Sequence, residues 1–213
     1  MTRGPASKGP HLRETTTLGR RQFLGSLAVG AAIAAAPARA GYALAVDPKL
    51  MGRALTAMQK HRTSIRRPGL IAIADYAAPS RDKRFYLVDM VSGQTTTYLV
   101  AHGRGSDPAH SGFLTRFSNQ EGSYASCAGA FVTGDEYQGK HGRSMRLEGL
   151  DPSNCNAEPR AIVIHAAPYV SAAMARDLGK VGRSQGCFTV TEADLAEVMG
   201  KLGPGRFLYS DKV

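Results

Sequence analysis

Beyond its first forty residues the chain has no apolar run near the roughly 18 residues that a membrane span requires, so no span is expected in residues 41–213. The six histidines form no HxH or HxxxH pair. That argues against a metal centre, and neither metal nor cofactor is expected. Basic residues are not interleaved with aromatics as in surfaces that grip nucleic acid, so no nucleic-acid partner is expected. Cysteine is scarce: the chain has three, an odd number that leaves at least one thiol unpaired.

What is present is ordinary globular material. The 213 residues are 43% hydrophobic and 21% charged, enough for one domain with a proper core. The N-terminus stands apart. Arg20-Arg21 is followed by Gln22-Phe23-Leu24, an alanine-rich apolar stretch fills residues 27–36, and Ala38-Arg39-Ala40 offers small residues at a cleavage position. Residues 1–40 are expected to be a twin-arginine (Tat-type) signal peptide, so the protein is expected to be exported to the periplasm or cell-wall space. Ala43-Leu44-Ala45 is a second cleavage position, and an uncleaved anchor is the alternative. Those forty residues carry six basic side chains and one acid, which leaves +5 of the total +10 on the rest.

Asp47-Pro48 reads as a helix start, with Leu50, Met51, Ala54, Leu55 and Met58 on one stripe to about His61. Residues 41–67 are therefore an N-terminal helical segment. From Gly69 onward the pattern turns to strands: Leu70-Ile71-Ala72-Ile73-Ala74, then residues 84–89 and 95–101 joined through Ser92-Gly93-Gln94 as a hairpin. A long polar loop runs over residues 102–120. Short strands are expected at 129–133 and 145–147, with Tyr137, Lys140 and His141 in a glycine-flanked turn. Residues 169–178 and a segment capped by Thr191 read as helices, and residues 206–209 as a last strand. The fold class is mainly β with α additions; periodicity alone gives no topology.

The chemistry concentrates in Gly182-Arg183-Ser184-Gln185-Gly186-Cys187-Phe188. A cysteine directly after glycine, between a polar turn and an apolar run, presents a thiol. Only the thiolate attacks, so a base is required. His165, at the tip of Arg160-Ala161-Ile162-Val163-Ile164-His165, is the candidate. The alternative is an inert packed cysteine. His102 is a second strand-end imidazole, placed with the cleft as a loop-shaping or substrate-facing residue. The N–H groups of Gly186 and Cys187 are the oxyanion candidates. Ser184 would bond within the turn or toward substrate, and Arg183 would pair with a substrate carboxylate. Cys127 and Cys155 lie in loop-like sequence and are expected either to bridge or to remain free thiols.

Ser184-x-Gly186-Cys187 behind a strand-borne histidine resembles the YkuD-type L,D-transpeptidase catalytic domain, in its murein L,D-transpeptidase branch. The resemblance also rests on Ala101-His102-Gly103-Arg104-Gly105-Ser106, Phe117-Ser118-Asn119, Tyr137-Gln138-Gly139-Lys140-His141-Gly142 and Ser144-Met145-Arg146-Leu147-Glu148-Gly149-Leu150, and covers about residues 68–210. It implies a single-domain YkuD-like β-sandwich over residues 68–213. It also implies that the main-chain carbonyl of Ala166, where glycine is common, orients the histidine, and that Tyr137 and His141 frame a substrate groove. Gln185 and Thr189 stand where basic residues are frequent. The implied reaction is attack on the bond between meso-diaminopimelate and D-alanine in a peptidoglycan stem tetrapeptide, through a thioester. Transfer to a second stem gives a 3→3 cross-link; water as acceptor gives an L,D-carboxypeptidase. Carbapenem-type inhibitors are implied ligands, and a monomer is expected. The other classes are an exported cysteine peptidase and a non-catalytic cell-wall-binding module.

Overall fold

The computed structural model describes residues 46–213, so the expected signal peptide lies outside the described residues. Helix α1, Pro48–Lys60, starts where Asp47 accepts from the N–H groups of Lys49 and Leu50, 2.8 and 3.2 Å away. Proline costs nothing there, because a first-turn N–H has no partner in the helix. Its buried stripe is Leu50, Met51 and Ala54.

Eight strands follow: β1 Leu70–Asp75, β2 Phe85–Asp89, β3 Thr95–Tyr98, β4 Gly129–Gly139, β5 Gly142–Gly149, β6 Val163–Ala166, β7 Phe188–Val190 and β8 Phe207–Asp211. Helices α2, Ala172–Leu178, and α3, Glu192–Leu202, lie between the last three. Their caps are side chains the sequence supplies: Ser171 accepts from Met174 N–H and Thr191 from Asp194 N–H, while Gly179 ends α2 in the left-handed region. None of the described helices is long and apolar enough to cross a membrane.

The strands form one sheet in the order β3-β2-β1-β8-β4-β5-β6-β7. The last strand in sequence thus sits at the centre, parallel to β1 and antiparallel to β4. The sheet curls until its ends meet. Ala101, just past β3, bridges Thr189 of β7, and Gly103 bridges Ser184 in the turn before β7. The two halves of the curled sheet face each other as a sandwich around one core. Phe188 is at its middle, 5.4 Å from Phe131 and 6.4 Å from Phe85 between ring centroids. Side-chain alternation sorts β1 between two layers. Ala72 and Ala74 face this core, while Ile71 and Ile73 face α1 with Val88, Ala130 and Phe207. Burial on both faces makes β1 read as a continuous apolar run.

Strands β4 and β5 are longer than their apolar stretches suggest. Past an irregularity between Thr133 and Glu136 they continue as an arm, with β6 still paired to β5 at Ser144 and Met145 and only the tip, Gln138–Gly139 with Gly142–Arg143, two-stranded. Tyr137, expected in a turn, is therefore on β4; only Lys140 and His141 form the turn, closed by Gly142 at φ 76°. The turn of the arm lies beside the end of β6, where His141 stacks on His165.

Candidate active site

Parallel pairing sets His165 beside Thr189, and the backbone alternation of β7 puts Phe188 in the core and Cys187 and Thr189 on the opposite face. Cys187 and His165 consequently share one cleft of about 210 Å³. The arm closes one side with Tyr137, Lys140 and His141; Arg160, Ala161, Tyr169, Arg183 and Ser184 complete the wall. A larger depression beside α1, about 640 Å³, holds no cysteine or histidine side chain. There Arg53 is paired with Asp211 and Lys60 with Asp151. Among the described residues, no three His, Cys, Asp or Glu side chains gather as they would around a metal ion.

The protonation pattern of His165 follows from its partners. Nδ1 lies 2.9 Å from the Ala166 carbonyl oxygen, which can only accept, so Nδ1 carries the proton and Nε2 offers a lone pair. Nε2 is 3.1 Å from Thr189 Oγ1, so the threonine hydroxyl donates to it. Thr189 Oγ1 in turn lies 3.3 Å from the Tyr169 hydroxyl, which is the donor left to it. Every hydrogen in the chain Tyr169–Thr189–His165–Ala166 is thereby assigned. Burial pushes the His165 pKa down; the Ala166 carbonyl opposes this, and nearby His141 and Lys140 add to it. The ring of His141 lies flat against that of His165, with centroids 4.5 Å apart.

The thiol does not bond the imidazole in this structure. Cys187 Sγ is 3.5 Å from the Ala161 carbonyl oxygen, and Ala161 holds the unusual backbone angle φ 52°. Burial raises the Cys187 pKa, against the pull of the Val163 N–H and the charges of Lys140 and Arg160. The resting pair is a neutral thiol and a neutral imidazole, each with another partner.

Several expected roles are corrected. The Gly186 N–H is not aimed into the cleft, because it donates to Ser184 Oγ at 3.1 Å. Ser184 passes its own hydrogen to the Cys187 carbonyl at 2.8 Å, so it is spent within the turn. The Cys187 N–H faces its own sulfur, as does the N–H of Val163. Gly186 has a different duty. At φ 114° a Cβ would lie 2.6 Å from Ile162 Cδ1 and 2.7 Å from the Ala125 oxygen, so only glycine fits. His102 does not line the cleft. It is buried, accepts from Arg84 Nη2 at 2.7 Å and donates to Asp107 Oδ2 at 3.2 Å, fixing the polar loop that follows β3. Arg183 Nη1 is taken by the Asp107 and Pro108 carbonyls, so only the rest of its guanidinium faces the cleft.

Cys127 and Cys155 are free thiols and the expected bridge is not formed. Cys127 is buried and accepts from Arg160 Nη1 at 2.7 Å, whereas Cys155 is exposed and accepts from Asn119 Nδ2 at 3.2 Å. The Asn119 side chain also approaches Cys127, its oxygen 4.0 Å from that sulfur.

Arg160, Ala161, Val163 and Tyr169 in the cleft wall, and Thr189 buried behind His165, are residues that sequence reasoning left without a role. For Thr189 a signal existed: two residues past Cys187 on a strand, it shares the cysteine's face.

The family model for the L,D-transpeptidase catalytic domain matches residues 43–210. No curated protein matches. Among solved structures the chain is similar to an L,D-transpeptidase from Mycobacterium smegmatis, at 10% identity over 67% of this chain and 58% of that one, TM-score 0.41. L,D-transpeptidase 3 from Mycobacterium tuberculosis, in complex with a faropenem-derived adduct, is similar at 11% identity over 68% and 60%, TM-score 0.43. A helical cell shape determining protein from Campylobacter jejuni is similar at 14% over 70% and 48%, TM-score 0.43. The aligned region thus spans between 48% and 60% of those three chains.

Proposed function

The chain belongs to the L,D-transpeptidase catalytic domain family, and on that footing we propose that it is an exported cysteine acyltransferase acting on peptidoglycan stem peptides. Cys187 attacks the carbonyl that joins meso-diaminopimelate to terminal D-alanine. Its proton passes to His165, whose tautomer is fixed by the Ala166 carbonyl. The tetrahedral oxyanion is met by the Cys187 N–H, with Lys140 and Arg160 supplying positive charge at the sulfur. The carbon–nitrogen bond then breaks, D-alanine leaves and a thioester remains. The side-chain amine of a second stem attacks the thioester and forms a 3→3 cross-link. The unengaged part of the Arg183 guanidinium is the group offered to a substrate carboxylate.

The observation that carries this reading is a buried cysteine and an imidazole of defined tautomer on adjacent strands of one cleft. Substrate binding must draw the sulfur from Ala161 and the ring nitrogen from Thr189 before the two meet, which is a common feature of empty sites.

Incubation with disaccharide-tetrapeptide, followed by mass spectrometry of protein and products, tests the proposal. The expected result is a covalent adduct on Cys187 short of one D-alanine and a cross-linked dimer, both lost in Cys187→Ala. A disaccharide-tripeptide as sole product assigns water as the acceptor and makes the enzyme an L,D-carboxypeptidase. An active Cys187→Ala overturns the nucleophile. Activity on casein would place the protein among ordinary cysteine peptidases. Wild-type protein that binds sacculi without forming an adduct would make it a wall-binding module.

A further inference from the structure

His165 is the single base in the reaction just proposed, yet two protons must move at different places. One leaves the sulfur; the other must reach the nitrogen of the departing D-alanine. The structure offers a second route out of the ring. Thr189 is fully buried behind His165, and its hydroxyl joins Nε2 at 3.1 Å to the Tyr169 hydroxyl at 3.3 Å. Tyr169 is half-buried and forms part of the cleft wall. The chain therefore starts at the imidazole, passes through the protein interior and ends in the cleft again.

We propose that Thr189 and Tyr169 relay the proton from His165 to the leaving amine, with Tyr169 as a further catalytic residue and Thr189 as the positioning residue between them. This rests on the reading of Cys187 as nucleophile. Once His165 has taken the thiol proton on Nε2, the ring swings back to its resting place and that N–H donates to Thr189 Oγ1. Thr189 turns its own hydrogen toward Tyr169, and Tyr169 turns its hydrogen toward the nitrogen of the scissile bond. As the carbon–nitrogen bond breaks, three hydrogens shift one place each. Nε2–H goes to Thr189, the Thr189 hydrogen to Tyr169, and the Tyr169 hydrogen to nitrogen. Both hydroxyls are regenerated, the imidazole returns to neutral and the amine departs with its proton. The reverse shift takes a proton from the incoming acceptor amine. Both hydroxyls suit the task because each donates and accepts. Burial holds the tyrosine protonated, and neither group needs to ionise.

The test compares leaving groups on the full-length enzyme. One substrate is the stem tetrapeptide, whose amide nitrogen needs a proton. The other is a p-nitrophenyl ester of the same acyl part, whose phenolate leaves without one. Tyr169→Phe and Thr189→Val are expected to lower kcat on the amide by about 100-fold. On the ester, the first burst of p-nitrophenolate, which reports acylation alone, is expected to stay within about threefold of wild type. Thr189→Ser, which restores the hydroxyl, is expected to recover amide turnover. The pH profile of Cys187 alkylation by iodoacetamide is expected to be the same in all four proteins. Equal losses on amide and ester, or a displaced alkylation profile in Thr189→Val, would mean that these residues only hold the imidazole, and overturns the relay. Amide turnover unchanged in Tyr169→Phe overturns it too. Wild-type protein that forms no thioester with either substrate removes the parent reading, a result distinct from both.

Discussion

The imidazole rings of His141 and His165 stack within 19° of parallel, the first on the β4–β5 turn and the second at the tip of β6. The outer ring covers the inner one and brings a second titratable group against it. Both effects disfavour the charged form of His165, whose pKa lies below the ordinary value of 6.5 with burial as the main cause. A base must be neutral to work, so activity is expected to persist to more acidic pH than an ordinary histidine would allow. His141→Ala removes the cover and the neighbouring charge together. The acid limb of kcat/KM is then expected to move to higher pH, as measured on the tetrapeptide. A limb that stays in place would show that the stack does not set the pKa.

His102 answers to pH through stability. It is held neutral between the Arg84 guanidinium and Asp107, and burial with the Arg84 charge takes its pKa down to about 4. In the unfolded chain it titrates near 6.5. The folded state thus binds fewer protons between these values. The stabilisation is complete above about pH 6.5 and is lost as pH falls through about 4. Urea melts of wild type are expected to lose on the order of 3 kcal/mol across that window. His102→Gln can accept from Arg84 and donate to Asp107 without titrating, so its stability is expected to be flatter there. Asp107, itself below the ordinary carboxylate value, remains as a residual slope at lower pH.

Gly186→Ala is expected to be among the most damaging small substitutions. The new methyl would press on Ile162 and the Ala125 carbonyl while the backbone stays at φ 114°. A loss of roughly 2 to 4 kcal/mol in thermal or urea unfolding is expected, from left-handed strain plus overpacking. Adduct formation on Cys187 should fall with it. Unchanged stability would mean that the turn has another conformation open to it.

Denatured, unreduced protein is expected to show three free thiols with a chromogenic disulfide reagent. In the native state Cys155 should react first, since Cys127 and Cys187 are buried. One free thiol would restore the Cys127–Cys155 bridge. Arg160→Leu orphans the Ala125 carbonyl and leaves that of Ser118 with only the Cys127 thiol at 3.5 Å, at an expected cost of about 1 to 3 kcal/mol in urea unfolding.

The strand content and the cysteine and histidine of the cleft were legible because local chemistry encodes them. Asp47-Pro48 caps a helix, Ser92-Gly93 turns a hairpin, and glycine before Cys187 frees space for one backbone path. The sheet order was not legible, since a period of two tells which face a residue takes and not which strand lies beside it. The arm of β4 and β5 was shortened because its exposed residues carry no apolar signal. Gly186 was misassigned because a serine two residues earlier competes for its N–H, a contest decided by the turn's three-dimensional path. His102 looked like a site residue for a related reason. A histidine ending a strand reads alike whether it meets substrate or a buried guanidinium, and Arg84 is 18 positions away.

The middle place of β8 makes it the joint between the two halves of the sheet. Without β8, β1–β3 and β4–β7, each with a bare flank along which another polypeptide could pair, would meet only at the isolated bridges beyond β3 and before β7. By filling that seam β8 ties together the two halves whose rim at Ala101 and Thr189 backs the imidazole. A chain in which β8 is unpaired therefore carries Cys187 and His165 without the frame that sets them side by side.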